Sequence, residues 1–223
     1  MVALFMITTL LLFLAVDYVI QRRAKKQEAP ARTSKQVPER FLIPRGYFFG
    51  SNHSWVELLP SGKIRLGIDD FVQKLIGKVD NIWCVPSNTP VARGNPLFML
   101  KQGQRTLSIS SPISGKVVDF NQELQKEPDL LTGDPYVAGW VAVMEPVNIS
   151  NEIKTLKVGE ETAQWLRREV SRFRDFIKAH TPQFALAEAG PTMADGGIPM
   201  RGILQHADEH AWKEFEEEFL TAK

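Results

Sequence analysis

Few residues in this chain of 223 amino acids are spaced for chemistry. Of its four histidines (His53, His180, His206, His210), only His206 and His210 stand together, at i, i+4 on a predicted helix. That spacing lets two imidazoles share one metal, but Asp208 and Glu209 point elsewhere around the helix and supply no third ligand. The pair reads as solvated helix histidines, and no metal site is expected. The single cysteine, Cys84, allows no internal disulfide, and its place between Trp83 and Val85 in a strand reads as core. Asp69 and Asp70 read as helix-start residues rather than a carboxylate pair, and Asp134 in "GDPY" as a turn former. There is no Ser-His-Asp spacing, P-loop or dinucleotide loop; "DGGIP" (195–199) is a turn. No catalytic residue and no small-molecule substrate are expected. The net charge of +1 argues against nucleic acid as the main partner.

The elements around these residues begin with residues 1–21, read as a transmembrane helix. Positions 2–20 are apolar except for Thr8, Thr9, Asp17 and Tyr18, and nineteen residues at the helical rise span about 28 Å, close to the hydrocarbon thickness. Leu4, Phe5, Leu11, Phe13 and Leu14 are the anchoring side chains. No basic residue precedes the run and no small-x-small cleavage site comes after it, so a signal peptide does not fit. Residues 22–45 form a basic, Pro-containing linker. From 21 to 45 there are eight Lys or Arg against Glu28 and Glu39, which places this flank in the cytoplasm by the positive-inside rule. The protein is expected in the inner membrane as a single-pass chain, N-terminus outside and soluble domain in the cytoplasm. "FLIP" (41–44) is the linker's docking point on the domain after it.

Residues 46–147 read as a mainly-β domain. "KIRLGI" (63–68) alternates Ile64, Leu66 and Ile68 with polar residues or Gly, and "NIWCVP", "PLFML", "TLSIS", "GKVVDFN" and "GWVAVME" complete a set of short strands. "DDFVQKLIG" (69–77) changes period: Phe71, Leu75 and Ile76 share a helical face, Asp69 caps it and Gly77 ends it. The polar loop 122–136 holds one helical turn.

Read in order, "HSWVEL" (53–58), "GKIRLGIDDFVQKLIG" (62–77), "VP" (85–86), "SPISGKVVDFNQEL" (111–124) and "EPDLLTGDPYVAGWV" (127–141) resemble the glycine cleavage system H protein. The resemblance implies a lipoyl-type β-sandwich, a barrel-sandwich hybrid. In that family a lipoyl lysine sits at a hairpin tip, eight residues before the proline of a P-x-S-G turn. Counting back from Pro112 gives Gln104, within "KQGQR". An amide has no amine nucleophile, so the shuttle chemistry of the family does not carry over and no cofactor is expected. Lys101 is the alternative attachment point. It lies three residues earlier, about 10 Å along an extended strand and with its face reversed. The family's Gly after "LP" is also absent from "VPSNTPVARG".

Residues 148–180 carry an amphipathic helix packed on or beside the domain, with Leu166, Val170, Phe173 and Ile177 as its stripe. Trp165 and Phe176 widen that face towards a partner. An irregular arm (181–205) leads to an acidic amphipathic helix (206–223) on which Trp212, Phe215 and Phe219 share a face. So short a helix needs a surface for its aromatics, either its own domain or a groove on another subunit. The sequence therefore points to a non-catalytic accessory subunit. It would brace the cytoplasmic face of a larger membrane complex, respiratory or photosynthetic, with the other subunits and the bilayer as partners. The alternative is a lipoyl or biotinyl carrier modified at Lys101 and serving a membrane-bound enzyme.

Overall fold

Between Gly46 and Val147 the apolar alternation is broken so often by Gly, Pro and Asn that only short antiparallel strands can form. The computed structural model describes residues 41–180 and 201–221. Strands β1 (Tyr47–Phe49), β2 (Ser54–Leu58), β3 (Ile64–Ile68), β5 (Pro90–Val91), β8 (Gly115–Phe120) and β9 (Ala142–Pro146) make a six-stranded sheet in the order β1-β2-β3-β9-β8-β5. Strands β4 (Asn81–Cys84), β6 (Pro96–Gln102) and β7 (Arg105–Ser110) make a second sheet, β4-β6-β7. The class is the mainly-β sandwich that the sequence implies. Strands β1 and β5, of three and two residues, are too short to show a period and escape sequence reading.

Ile64, Leu66 and Ile68 are buried, as their alternation predicts. Gly67 is buried for another reason. It stands opposite Trp55 in the β2–β3 register, and a Cβ placed on it would lie 2.5 Å from the indole. The helix α1 (Asp70–Ile76) has the predicted ends: the Asp69 carboxylate accepts from the Val72 N–H at 3.0 Å, and Gly77 turns the chain with φ +72. It differs from expectation in being buried on every side. One side is covered by the linker exit, where Phe41 meets Phe71 edge-on at 5.5 Å. Another is covered by the returning C-terminal chain, whose Gly202 N–H donates to the Lys74 carbonyl at 2.7 Å.

The linker exit is held by a ring of three hydrogen bonds. The Leu42 N–H donates to the Asp70 carboxylate (2.9 Å), the Asp70 N–H to the Tyr136 hydroxyl oxygen (3.3 Å), and the Tyr136 O–H to the Leu42 carbonyl (2.7 Å). The loop 122–136 that supplies Tyr136 contains two helical turns where the sequence predicts one, α2 (Glu123–Lys126) and α3 (Leu130–Gly133).

After β9 come the short α4 (Ile149–Glu152) and the long α5 (Glu160–Ala179). The predicted stripe of α5 is buried, and so are Trp165 and Phe176, which sequence reasoning assigns to a partner. For Phe176 the partner is the chain's own C-terminus, whereas Trp165 packs on His53 and Lys157. Helix α6 (Glu209–Phe215), capped by Asp208, runs into a π-helical turn, Glu216–Leu220, and lies on α5. Phe173 meets Phe215 and Phe219 edge-on, each at 5.8 Å between ring centroids. Trp212, Phe215 and Phe219, the expected contacts for another subunit, are 3%, 0% and 0% exposed in cis. They are occupied within this chain, the first of the two surfaces the sequence leaves open for them.

The apolar run 1–21, with Leu4, Phe5, Leu11, Phe13 and Leu14, lies outside the described residues, as do most of the linker 22–45 and of the arm 181–205. Among the described residues no helix is long and apolar enough to cross a membrane.

Replacing Gly67 by Ala should destabilise the domain by about 1–3 kcal/mol, because the fully buried Trp55 cannot yield to an added methyl. Urea unfolding of the two proteins measures the difference.

Candidate functional site

The β6–β7 hairpin closes on Gln102 opposite Arg105, leaving Gly103 and Gln104 as a two-residue turn. Gly103 has φ +60, while Gln104 has no positive φ, the pattern of a type II′ turn with glycine first. Gln104 is exposed at the apex. The shoulders of the hairpin are tied to the α1–β4 loop: the Gln102 side-chain N–H₂ donates to the Ile76 carbonyl (2.9 Å) and to the Lys78 carbonyl, and the Gly103 N–H to Asp80 (2.6 Å). A surface groove of about 430 Å³ runs along the tip between Lys78, Asp80, Gln104 and Arg105. A second of about 280 Å³ adjoins it and reaches Arg201 and Asp129.

Lys101 pairs with Thr106, one rung below the closing pair. Counting along an extended strand overstates its distance from Gln104, because the chain turns back after Gln102 and the turn residues add little axial length. The tip therefore presents an amide at its apex and one half-buried amine at its shoulder.

The other candidate side chains are dispersed. His206 ends a 3₁₀ turn (Ile203–His206) ahead of the Asp208 cap, so it does not share a helix face with His210. His210 Nε2 faces Glu214 at 3.6 Å, and Glu214 also bonds His180 on α5. Cys84 is half-buried, and burial pushes its thiol up to about 12.

Sequence reasoning misses the densest polar cluster. His53, fully buried with φ +60, stacks on Phe71 at 4.6 Å and lies 4.8 Å from Trp165. Its Nδ1 meets Asp69 at 2.7 Å and its Nε2 faces Glu169 at 3.5 Å, and Glu169 is held in turn by Arg172 at 3.0 Å. Burial, the largest single influence on His53, lowers its pKa, but the charge and hydrogen bonds of Asp69 and Glu169 together raise it above the ordinary value. Burial likewise raises the carboxyl of Glu169, and the contact with His53 together with the charges of Arg172 and Lys157 outweighs it and lowers the net value. Each direction follows from the attraction between the ring and the carboxyl groups that flank it. The cluster is enclosed and joins β2, α1 and α5, so its work is structural. The only signal in the sequence is His53 inside "HSWVEL", because its partners are far away along the chain.

The family model of the glycine cleavage H-protein matches residues 47–169. The chain belongs to the glycine cleavage H-protein family. Among its relatives, "Glycine cleavage system H protein 2" of Aquifex aeolicus is 32% identical over 132 residues, 59% of this chain and 82% of that one. "Probable glycine cleavage system H protein 2" of Sulfolobus acidocaldarius is 34% identical over 138 residues, 61% of this chain and 89% of that one. The crystal structure of a glycine cleavage system H protein from Mycobacterium marinum is 21% identical, covers 57% of this chain and 98% of its own, and aligns with a TM-score of 0.47. The H-protein match thus spans the sandwich and the first half of α5 and ends at Glu169, the partner of His53. The C-terminal helix lies beyond it.

A histidine whose folded pKa is raised contributes stability that is complete below its unfolded value of about 6.5 and is lost as pH rises through the folded value. The urea midpoint should therefore fall as pH is raised above 6.5, and His53→Gln should remove that slope. Glu169, with a lowered pKa, adds stability that is lost on acidification below its ordinary range. Cys84, with its thiol at about 12, should react with iodoacetamide at pH 8 slower than an unfolded thiol by a factor on the order of 10³, the difference vanishing in urea.

Proposed function

We propose that this protein is a non-catalytic accessory subunit, anchored to the membrane by its first 21 residues. It uses an unlipoylated H-protein-like domain as a rigid brace on the cytoplasmic face of a larger membrane complex. The observation that carries the reading is Gln104 at the exposed apex of the hairpin, where the family resemblance puts the lipoyl lysine. An amide cannot accept the lipoyl group, and without the swinging arm the domain keeps its shape but not the transfer chemistry. The apolar run 2–20 and the basic flank after it support the anchor and its orientation. The eight cations of that flank would each gain on the order of 1 kcal/mol near anionic headgroups. A respiratory or photosynthetic assembly is the type of host such a subunit suits.

The alternative is a carrier lipoylated or biotinylated at Lys101, and its support is the position of Lys101 one rung from the turn. Intact-mass measurement on the native protein separates the two. No adduct is expected on the native chain, and Gln104→Lys offered to a lipoate ligase should gain one lipoyl mass. A prosthetic group found on Lys101 in native material would establish the carrier instead. The anchor is checked separately: the protein should stay with membranes through alkaline carbonate washing, and residues 46–223 should be cut by protease only from the cytoplasmic side.

A further inference from the structure

Strand β7 is the edge of the three-stranded sheet, and an edge strand offers its outward backbone groups to any other chain. Here two of those groups are met by side chains of the C-terminal helix. The Trp212 indole N–H donates to the Thr106 carbonyl at 2.8 Å, and the Glu216 carboxylate accepts from the Ser108 N–H at 3.2 Å. One donor and one acceptor, two residues apart on β7, are what a neighbouring strand would supply. The Ser110 hydroxyl adds a third tie, to the Leu220 carbonyl at 3.2 Å, and Arg105 lies over the Trp212 ring at 5.3 Å. The clamp is reinforced behind by Arg172, which sits 4.0 Å over the Phe219 ring and bonds the Glu218 carbonyl.

We propose that the C-terminal helix is a cap on β7, and that the edge it covers pairs with β7 of a second copy of this chain when the cap is lifted. The second copy is favoured by register. An antiparallel pair centred on Leu107 sets Ser108 opposite Thr106 of the second copy, so that each Ser108 N–H meets the other Thr106 carbonyl. These are the two groups the cap now satisfies. The same register sets Arg105 opposite Ile109 and brings no like charges together. Lifting the cap uncovers Phe215, Phe219 and the α5 aromatics beneath them, so the intact chain stays capped. The inference does not depend on whether Gln104 makes the protein a brace or Lys101 makes it a carrier.

The test uses the full-length protein in detergent micelles, with the oligomeric state read by light scattering and Ser108 exposure by amide exchange and mass spectrometry. Trp212→Ala with Glu216→Lys removes the donor and sets a cation against the Ser108 N–H. The expected result is exchange about tenfold faster or more across 105–110, with concentration-dependent dimers that the unaltered protein does not form. Adding Ser108→Pro, which deletes the outward N–H without touching the β6 pairing, should return the capped-off variant to monomer. Fast exchange without dimers overturns the proposal. So does a dimer that survives Ser108→Pro, since association would then run through the uncovered aromatics. Unchanged protection across 105–110 in the double variant overturns it too, because something other than the cap would be shielding the edge.

Discussion

The ring of His53 is held inside the protein between Asp69 and Glu169, and the helical flank of the sandwich is assembled around it. Taking three titratable side chains out of water is expensive, and such a cluster is weak evidence for net stability. It does impose a condition: buried polar groups are tolerated only where their partners are present. The turn before β2 must reach a left-handed conformation to aim the ring, α1 must start at Asp69, and α5 must lie in the register that brings Glu169 forward. Phe71 and Trp165 then close over the ring and shut out the water that would otherwise dilute the attraction. A slip of α5 by one turn would take Glu169 away from the buried ring. The cluster therefore specifies one arrangement of helix on sheet.

The parts of this structure that are readable in the sequence are those whose cause is local. The alternation of "KIRLGI" is its own evidence for β3, and Asp69 and Gly77 mark the ends of α1 within nine residues. The stripe of α5 likewise states which face is buried. The unread parts depend on distance along the chain. His53 looks like any lone histidine until Glu169 arrives from α5. The aromatics of the last helix announce that they need a surface, and their spacing is the same whether that surface is near or belongs to another subunit. An extended-strand ruler sets Lys101 too far from the apex because it ignores the turn. At the candidate site the identity of Gln104 is legible in the sequence and its place on the hairpin tip follows from the family resemblance; the ties from Gln102 and Gly103 to residues 76–80 are not legible, because they join distant parts of the chain.

The hairpin and the C-terminal helix stand on opposite sides of the family boundary. The residues that match the H-protein family build the sandwich, the stiff hairpin and the first half of α5. In the second half of α5 the stripe continues through Phe173 and Ile177, and this extension gives the last helix something to lie on. An inherited frame has thus been given an additional layer, and that layer meets the same three-stranded sheet that carries the tip.

The ring of hydrogen bonds through Leu42, Asp70 and Tyr136 has a mechanical meaning. Tension drawn along the chain from the N-terminal side reaches Leu42 before it reaches β1, and there it is divided between a helix start and a loop tyrosine. Releasing Leu42 breaks two of the bonds, its N–H to Asp70 and the Tyr136 hydroxyl to its carbonyl, while the third still joins Asp70 to Tyr136. A pull from that side is thus met at Leu42, five residues before β1 begins.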